Sequence, residues 1–287
     1  MIFCNLASGS KGNCSYISSN DTSILVDVGI NCKAVEQRAA IVGIDISRVD
    51  AIIITHEHID HMQGVCALSS KYNIPVYIHP SSYYSFVGKV GSEICNLKAT
   101  NFDKPFDIGA LNINAFRVSH DAAYTQGFTI SDGEKSIVMA TDLGYLNDNV
   151  YKRMQNADYI YIESNYDQSM LFNGKYPKYL QYRIDGKNGH LSNVETSNAI
   201  ARLYLENGRK RFMLAHLSQN NNTPDVALQT LFSTLGQHNI DVKDIEIAIA
   251  DQSNPSEIIT IWVINKNFSA QIDLMHHYLL EMAHQII

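Results

Sequence analysis

Ala51-Ile-Ile-Ile-Thr-His56-Glu-His58-Ile-Asp60-His61 is the stretch that decides how this chain folds. Ile52, Ile53 and Ile54 are consecutive, β-branched and apolar, so they read as a strand buried on both faces. The strand must end at His56, because the next residues are mostly ionisable. A loop leaving the end of a buried strand is where a rigid sheet carries chemistry. His56 and His58 are two apart and share one side of an extended chain. Asp60 and His61 open a helix predicted to run to about Tyr72, which turns them toward a second point nearby. Four potential metal ligands within residues 56–61 arise by chance in roughly one such chain per thousand. The bland alternative, a solvated turn with surface histidines, does not account for a buried strand feeding it.

Three further ionisable residues follow apolar runs in the same way: His120 after Leu111–Val118, Asp142 after Lys135–Thr141, and His216 after Arg211–Ala215. If the strand ends converge, His56, His58 and His120 give one cation three imidazoles. Asp60, His61 and His216 give a second cation an oxygen and two imidazoles. Asp142 can bridge, since a carboxylate has two oxygens. Imidazole with carboxylate suits zinc, manganese or iron, of which two divalent ions, zinc or manganese, are expected here, and leaves a coordination position open, unlike a closed structural site. Two cations about 3.5–4 Å apart can make a bridging hydroxide at neutral pH and hold both oxygens of a displacement at phosphorus.

The rest of the chain supplies the frame. Met1–Leu6, Cys14–Ser18 and Ser23–Gly29 read as a β-meander. A helix over Lys33–Gly43 precedes the key strand, and Pro75–His79 follows it as another. Gln126–Ser131 and Lys135–Thr141 form a hairpin over Asp132-Gly133. Asp158–Glu163 is a strand. Ser192 and Glu195 make a capping box for a helix to about Glu206. Thr223-Pro224 caps a helix to Leu235. Ile245–Ala250 and Ile258–Ile264 are strands, and Ala270–Ile286 shows a helical apolar stripe. Strands with helices interspersed in both halves predict an α/β fold of two stacked sheets with helices outside, an αββα sandwich. The hydrolase domain is expected over 1–265, with a C-terminal helical extension over 266–287 that closes the core or pairs two subunits.

Composition narrows the function. The net charge is −7, which argues against a protein that coats DNA by charge alone. Five cysteines with no CxxC spacing read as free thiols in a reducing compartment. The N-terminus lacks the basic and apolar regions of a signal peptide, and no apolar run is long enough for a membrane span. A cytoplasmic protein is expected. Residues 171–211 depart from the average, carrying a local charge of +5. Lys175, Lys178 and Arg183 alternate there with Phe172, Tyr176, Tyr179 and Tyr182, which fits contact with backbone phosphate and stacking of bases. Asp27, ending Leu25-Val-Asp, is placed to orient a ligating histidine. Ser8, Ser10 and Asn13, in a small-residue loop, can donate to a phosphate.

His56-x-His58-x-Asp60-His61, with His120, Asp142 and His216, resembles the metallo-β-lactamase fold superfamily over residues 1 to about 260. An aspartate at 142, where the zinc β-lactamases carry cysteine, is similar to the phosphodiesterase and glyoxalase branches. Leu6-Ala-Ser-Gly-Ser-Lys-Gly-Asn-Cys14, Glu163-Ser-Asn-Tyr-Asp167, Gly189-His-Leu-Ser-Asn193 and Ala215-His-Leu-Ser-Gln-Asn-Asn221 resemble the WalJ/YycJ group of bacterial proteins. That resemblance implies a metal-dependent phosphodiesterase, a 5′-to-3′ DNA exonuclease in which a metal-bridging hydroxide attacks DNA. It covers nothing from Lys266 onward. His190 and His216 both stand in His-Leu-Ser, and spacing alone does not decide which binds metal. His216 follows a strand directly. His190 resembles the additional histidine that phosphodiesterases of the superfamily set against the phosphate. Asp60 and His190 are therefore the candidate catalytic side chains. A metallohydrolase for a small cyclic diester, thioester or lactone is the competing enzyme. A metal-stabilised binding module is the competing non-enzyme.

Overall fold

The computed structural model describes residues 1–91 and 93–261. The strand predicted over 258–264 is seen there only as far as Ile261, and the predicted extension over 266–287 lies outside the described residues.

The first half builds one sheet. β1 (Ile2–Ala7), β2 (Cys14–Ser19) and β3 (Thr22–Val26) form the meander. Helix α1 (Cys32–Ile41) leads to β4 (Ala51–Ile53), the strand before the histidine loop. Helices α2 (Ile59–Met62) and α3 (Val65–Tyr72) follow, then β5 (Val76–Ile78), α4 (Pro80–Val90) and β6 (Leu97–Ala99). The second half builds the other sheet from β7 (Phe106–Ile108), β8 (Leu111–Arg117), β9 (Gln126–Ser131) and β10 (Ser136–Ala140). It continues through α5 (Asp148–Asn156), β11 (Tyr159–Glu163), α6 (Gln168–Asn173), α7 (Lys178–Ile184) and α8 (Asn193–Asn207). It ends with β12 (Arg211–Ala215), α9 (Pro224–Gln237) and β13 (Glu246–Ile249), while β14 (Ile259–Thr260) returns to pair with β1. The strand orders are β14-β1-β2-β3-β4-β5-β6 and β13-β12-β11-β10-β9-β8-β7.

Alternation along the strands fixes the layers. In β12, Met213 and Ala215 join the core between the sheets, while Phe212 and Leu214 join the core under α8 and α9. In β4, Ile53 faces the inter-sheet core and Ile52 the core under α1 and α3. Successive residues of a strand point to opposite faces, so a strand apolar at every position needs cover on both. The result is an αββα sandwich with three apolar layers. Truncating any of these isoleucines to alanine is expected to cost about 2–5 kcal/mol. Among the described residues no helix is long and apolar enough to cross a membrane.

The helix predicted from Asp60 to Tyr72 is two helices. Gly64 gives its N–H to the Val28 carbonyl, and a Cβ there would lie 2.2 Å from the Ile30 carbonyl oxygen. Close backbone approach breaks the helix at the one residue without a side chain. The strand predicted to run to Gly29 stops at Val26, because Asp27 takes a left-handed φ of 60°.

Candidate metal centre

β3, β4, β10, β11 and β12 all end on the same edge of the sandwich. β10, β11 and β12 run parallel in register, with Ala140 beside Ile162 and Ile162 beside Leu214. One or two residues further along each strand come Asp142, Glu163 and His216. From the other sheet the histidine loop rises after β4. It is held by backbone hydrogen bonds: the Asn13 N–H donates to the Asp60 carbonyl at 2.8 Å and the Val28 N–H to the His61 carbonyl at 2.9 Å. Gly29 must be glycine here, since a Cβ would overlap the Asp60 carbonyl oxygen at 1.6 Å.

The structure brings the expected residues together in the expected two triads. Candidate ligand atoms of His56, His58 and His120 lie within 4.8 Å of one another, and so do those of Asp60, His61 and His216. Asp142 stands between the triads. One oxygen is 3.4 Å from His61 Nε2, and the other is 3.7 Å from His120 Nε2 and 3.5 Å from His216 Nδ1.

Most of the imidazoles are fixed by one ring nitrogen, with the other turned toward the centre, where His61 Nε2 also meets Asn13 Nδ2 at 3.1 Å. His61 Nδ1 bonds Asp27 at 2.8 Å, and Thr55 donates to the same carboxylate through its backbone N–H and its hydroxyl. His120 Nδ1 meets the Gly189 carbonyl at 3.1 Å, and His56 Nδ1 meets the Thr55 hydroxyl at 3.0 Å. His216 Nδ1 bonds Glu163 at 2.6 Å. Two buried polar atoms in the centre, Asp142 Oδ2 and His216 Nε2, have no hydrogen-bond partner among the described residues. An orphaned carboxylate oxygen and an orphaned imidazole nitrogen in one buried cluster suit a cation, and the donor set is compatible with divalent metal.

The electrostatics agree. Burial pushes His56 well below its ordinary value, and the neighbouring His61 adds to that. Burial opposes the charged form of His61 as well, yet Asp142, Asp27 and Asp60 outweigh it and push the group up to about 9. His216 is raised in the same way, with burial overcome chiefly by Asp142. Asp60, Asp142 and Glu163 are held low against the cost of burial by the histidines around them. The centre calls for positive charge.

A beta-lactamase superfamily domain matches residues 22–217. The chain belongs to the metallo-β-lactamase superfamily. It is 35% identical over 253 residues to the exodeoxyribonuclease WalJ of Streptococcus pneumoniae, covering 86% of this chain and 93% of that protein. It is 31% identical over 260 residues to the exodeoxyribonuclease YycJ of Bacillus anthracis, covering 89% and 97% respectively. Among solved structures it resembles the metallo-β-lactamase fold protein YhfI of Bacillus subtilis, with a TM-score of 0.65 at 19% identity, covering 90% of this chain and 100% of that one. As in the superfamily at large, the fold is two mixed sheets flanked by helices.

One residue of this metallo-β-lactamase centre escapes a reading of the sequence by ligand type. Glu163 is fully buried and accepts from His216, from His190 Nδ1 at 2.9 Å and from the Leu191 N–H at 3.0 Å. The sequence does carry a signal for it, since it is an acid closing the apolar run Tyr-Ile-Tyr-Ile. His190 thus lies beside the triads, paired with an acid, and it lines the pocket above them together with Ser10, Asp121, Tyr176 and Arg183.

Other expectations need correction. Ser8 is 1% exposed, and its hydroxyl accepts from the His216 N–H and the Tyr161 hydroxyl, so it braces the centre and does not reach a substrate. Asn13 is likewise buried, bonded to Gly9 and to His61 Nε2. The basic stretch 171–211 is not one surface. Arg183 reaches the pocket, where it pairs with Asp121, and Lys175 and Lys178 are exposed around α7. Arg202, Arg209, Lys210 and Arg211 are engaged elsewhere, with Glu206, Asp244, the Ala157 carbonyl and Glu246. β12 starts at Arg211 and delivers His216 at its far end, so about 16 Å of strand separates Arg211 from the centre.

Proposed function

We propose that this protein is a dinuclear metal-dependent phosphodiesterase acting as a 5′-to-3′ DNA exonuclease in the cytoplasm. The observation that carries the reading is Asp142 standing between two three-residue triads, in a chain 35% identical to an exodeoxyribonuclease over most of its length. His56, His58 and His120 would hold one divalent cation, Asp60, His61 and His216 the other, with Asp142 shared. Zinc or manganese bound there supplies Lewis-acid polarisation of the phosphate and activation of water at neutral pH.

The chain's own groups do the rest. Asp60 holds its site in register through the backbone bond to Asn13. Asp27 fixes the tautomer of His61. Glu163 accepts a hydrogen bond from His190 Nδ1–H and favours the imidazolium, so Nε2–H is the proton turned to the pocket, and its loss leaves a neutral imidazole. From there His190 protonates the departing 3′ oxygen, a general-acid role worth about 10²–10⁴-fold. Arg183 at the pocket, with Lys175 and Lys178 around it, neutralises DNA phosphates, and the Ser10 hydroxyl donates a hydrogen bond to one. The test is incubation of purified protein with 5′-labelled duplex DNA and Mn²⁺. Release of labelled mononucleotides is expected. Intact DNA together with rapid turnover of a thioester or lactone would favour the small-substrate hydrolase.

A further inference from the structure

Helix α7 carries a feature that the metal centre does not use. Its residues Leu180, Arg183 and Ile184 line the pocket. Tyr179 and Tyr182 each precede a pocket residue by one position, so they stand about a quarter turn away and share one stripe of the helix. They are 75% and 65% exposed. Burying a tyrosine ring is favourable, so two left uncovered on one short helix, beside a pocket, mark a surface kept for a partner. Lys178 sits four residues before Tyr182 and shares its face. Tyr176, just before the helix, lines the pocket and is held by Asn220 Nδ2 at 2.7 Å from its hydroxyl. Together Tyr176, Lys178, Tyr179, Tyr182 and Arg183 set rings and cations in alternation along the chain, a row in sequence that ends at Arg183, with Tyr182 tilted against Phe172 at 6.1 Å between ring centroids.

We propose that this row is a track for unpaired DNA, on which Tyr176, Tyr179 and Tyr182 stack successive bases while Lys178 and Arg183 bind the adjoining phosphates. The inference rests on the exonuclease reading and adds to it that the strand is handled single-stranded. In a duplex the base faces are already stacked on one another and cannot lie on tyrosines. Rings spaced at single turns of a helix suit splayed bases, and every base has a face to offer, so the track is indifferent to sequence. In a chain of net charge −7, the exposed Lys175, Lys178 and Arg183 give this rim local positive charge that attracts phosphate. Asp121, paired with Arg183 in this structure, gives up that partner when a phosphate arrives.

Tyr179→Ala/Tyr182→Ala tests the track, since exposed positions tolerate truncation. Binding is measured by anisotropy with a hydrolysis-resistant single-stranded oligonucleotide, and KM and kcat with a cleavable one. Dissociation constant and KM should rise roughly tenfold or more, with kcat little changed. Tyr179→Phe/Tyr182→Phe should restore both, because phenylalanine stacks equally well. Tyr84→Ala, on α4 and 72% exposed, should alter nothing. Unchanged affinity in the double alanine variant, or failure of the phenylalanine variant to restore it, would overturn the track. Wild-type protein that binds the oligonucleotide through these tyrosines but releases no nucleotide would instead overturn the exonuclease reading and leave the track standing.

Discussion

The two sheets furnish the centre in opposite ways. The first gives four residues from one loop after β4, within residues 56–61. The second gives single residues from separate strand ends: His120 after β8, Asp142 after β10, Glu163 closing β11 and His216 after β12. The first geometry is set by local chain, the second by sheet register. The second carries more strain. Asp142 and His216 hold left-handed φ values of 57° and 54°, which cost on the order of 1 kcal/mol or more for residues with a Cβ. Asp27 at 60° is the one comparable position on the first sheet among the site residues. A single substitution in the second sheet therefore removes a contribution that no sequence neighbour can replace.

The sharpest way to break this contrast is Asp142→Ala. It removes the one carboxylate that faces both triads, so DNA degradation should fall by more than about a thousandfold. Metal analysis should show loss of bound cation at the same time. If metal content and activity both survive, the centre is not shared through Asp142. Chelation of the wild-type protein should match the variant in activity and lower the melting temperature, since cations that bind only the folded chain stabilise it. Acidification should release metal as well, because the imidazoles must be neutral to bind.

His190→Ala separates the acid from the ligands. It should cost about 10²–10⁴-fold in kcat with metal content unchanged. Glu163→Gln should cost less than His190→Ala while tilting the pH profile, since the amide can still orient an imidazole but not charge it. Loss of metal in His190→Ala would move that residue into the metal set and reopen the choice between His190 and His216. Asp27→Ala comes next in size. It leaves every candidate ligand in place but frees His61 Nδ1, and metal affinity should fall about 10–100-fold.

What the sequence makes legible follows the same divide. His56, His58, Asp60 and His61 announce themselves, because a buried run of isoleucine rarely ends in so many ionisable residues unless they gather at a site. His120, Asp142 and His216 are legible by the same pattern, since each follows an apolar strand. Glu163 ends one too, but glutamate is common on surfaces and nothing local says that it is fully buried. α7 escapes notice because Lys-Tyr-Leu-Gln-Tyr-Arg-Ile has no broad apolar face to betray a helix: its tyrosines point outward. Ser8 misleads because a hydroxyl in a small-residue loop carries no sign of being bonded from within. The basic stretch misleads because α8 runs through it and carries its later charges away from the pocket, to the start of β12.

That division yields the smallest effect and the most specific one. Lys178→Ala should weaken DNA binding and reduce the slope of log affinity against log salt by about one, the signature of one lost phosphate contact. Arg209→Ala removes a charge of the same sign, thirty-one residues on, from the end of the sandwich opposite the pocket. Its exposed pair with Asp244 should contribute under about 1 kcal/mol to stability. The salt slope for DNA should not move. Titrations of both variants against one labelled oligonucleotide at several salt concentrations decide the matter. If Arg209→Ala flattens the slope as much as Lys178→Ala does, DNA lies across the far end too and the rim around α7 is not where the strand enters. If only Lys178→Ala flattens it, position in the fold, and not net charge along the sequence, determines which cations meet the substrate.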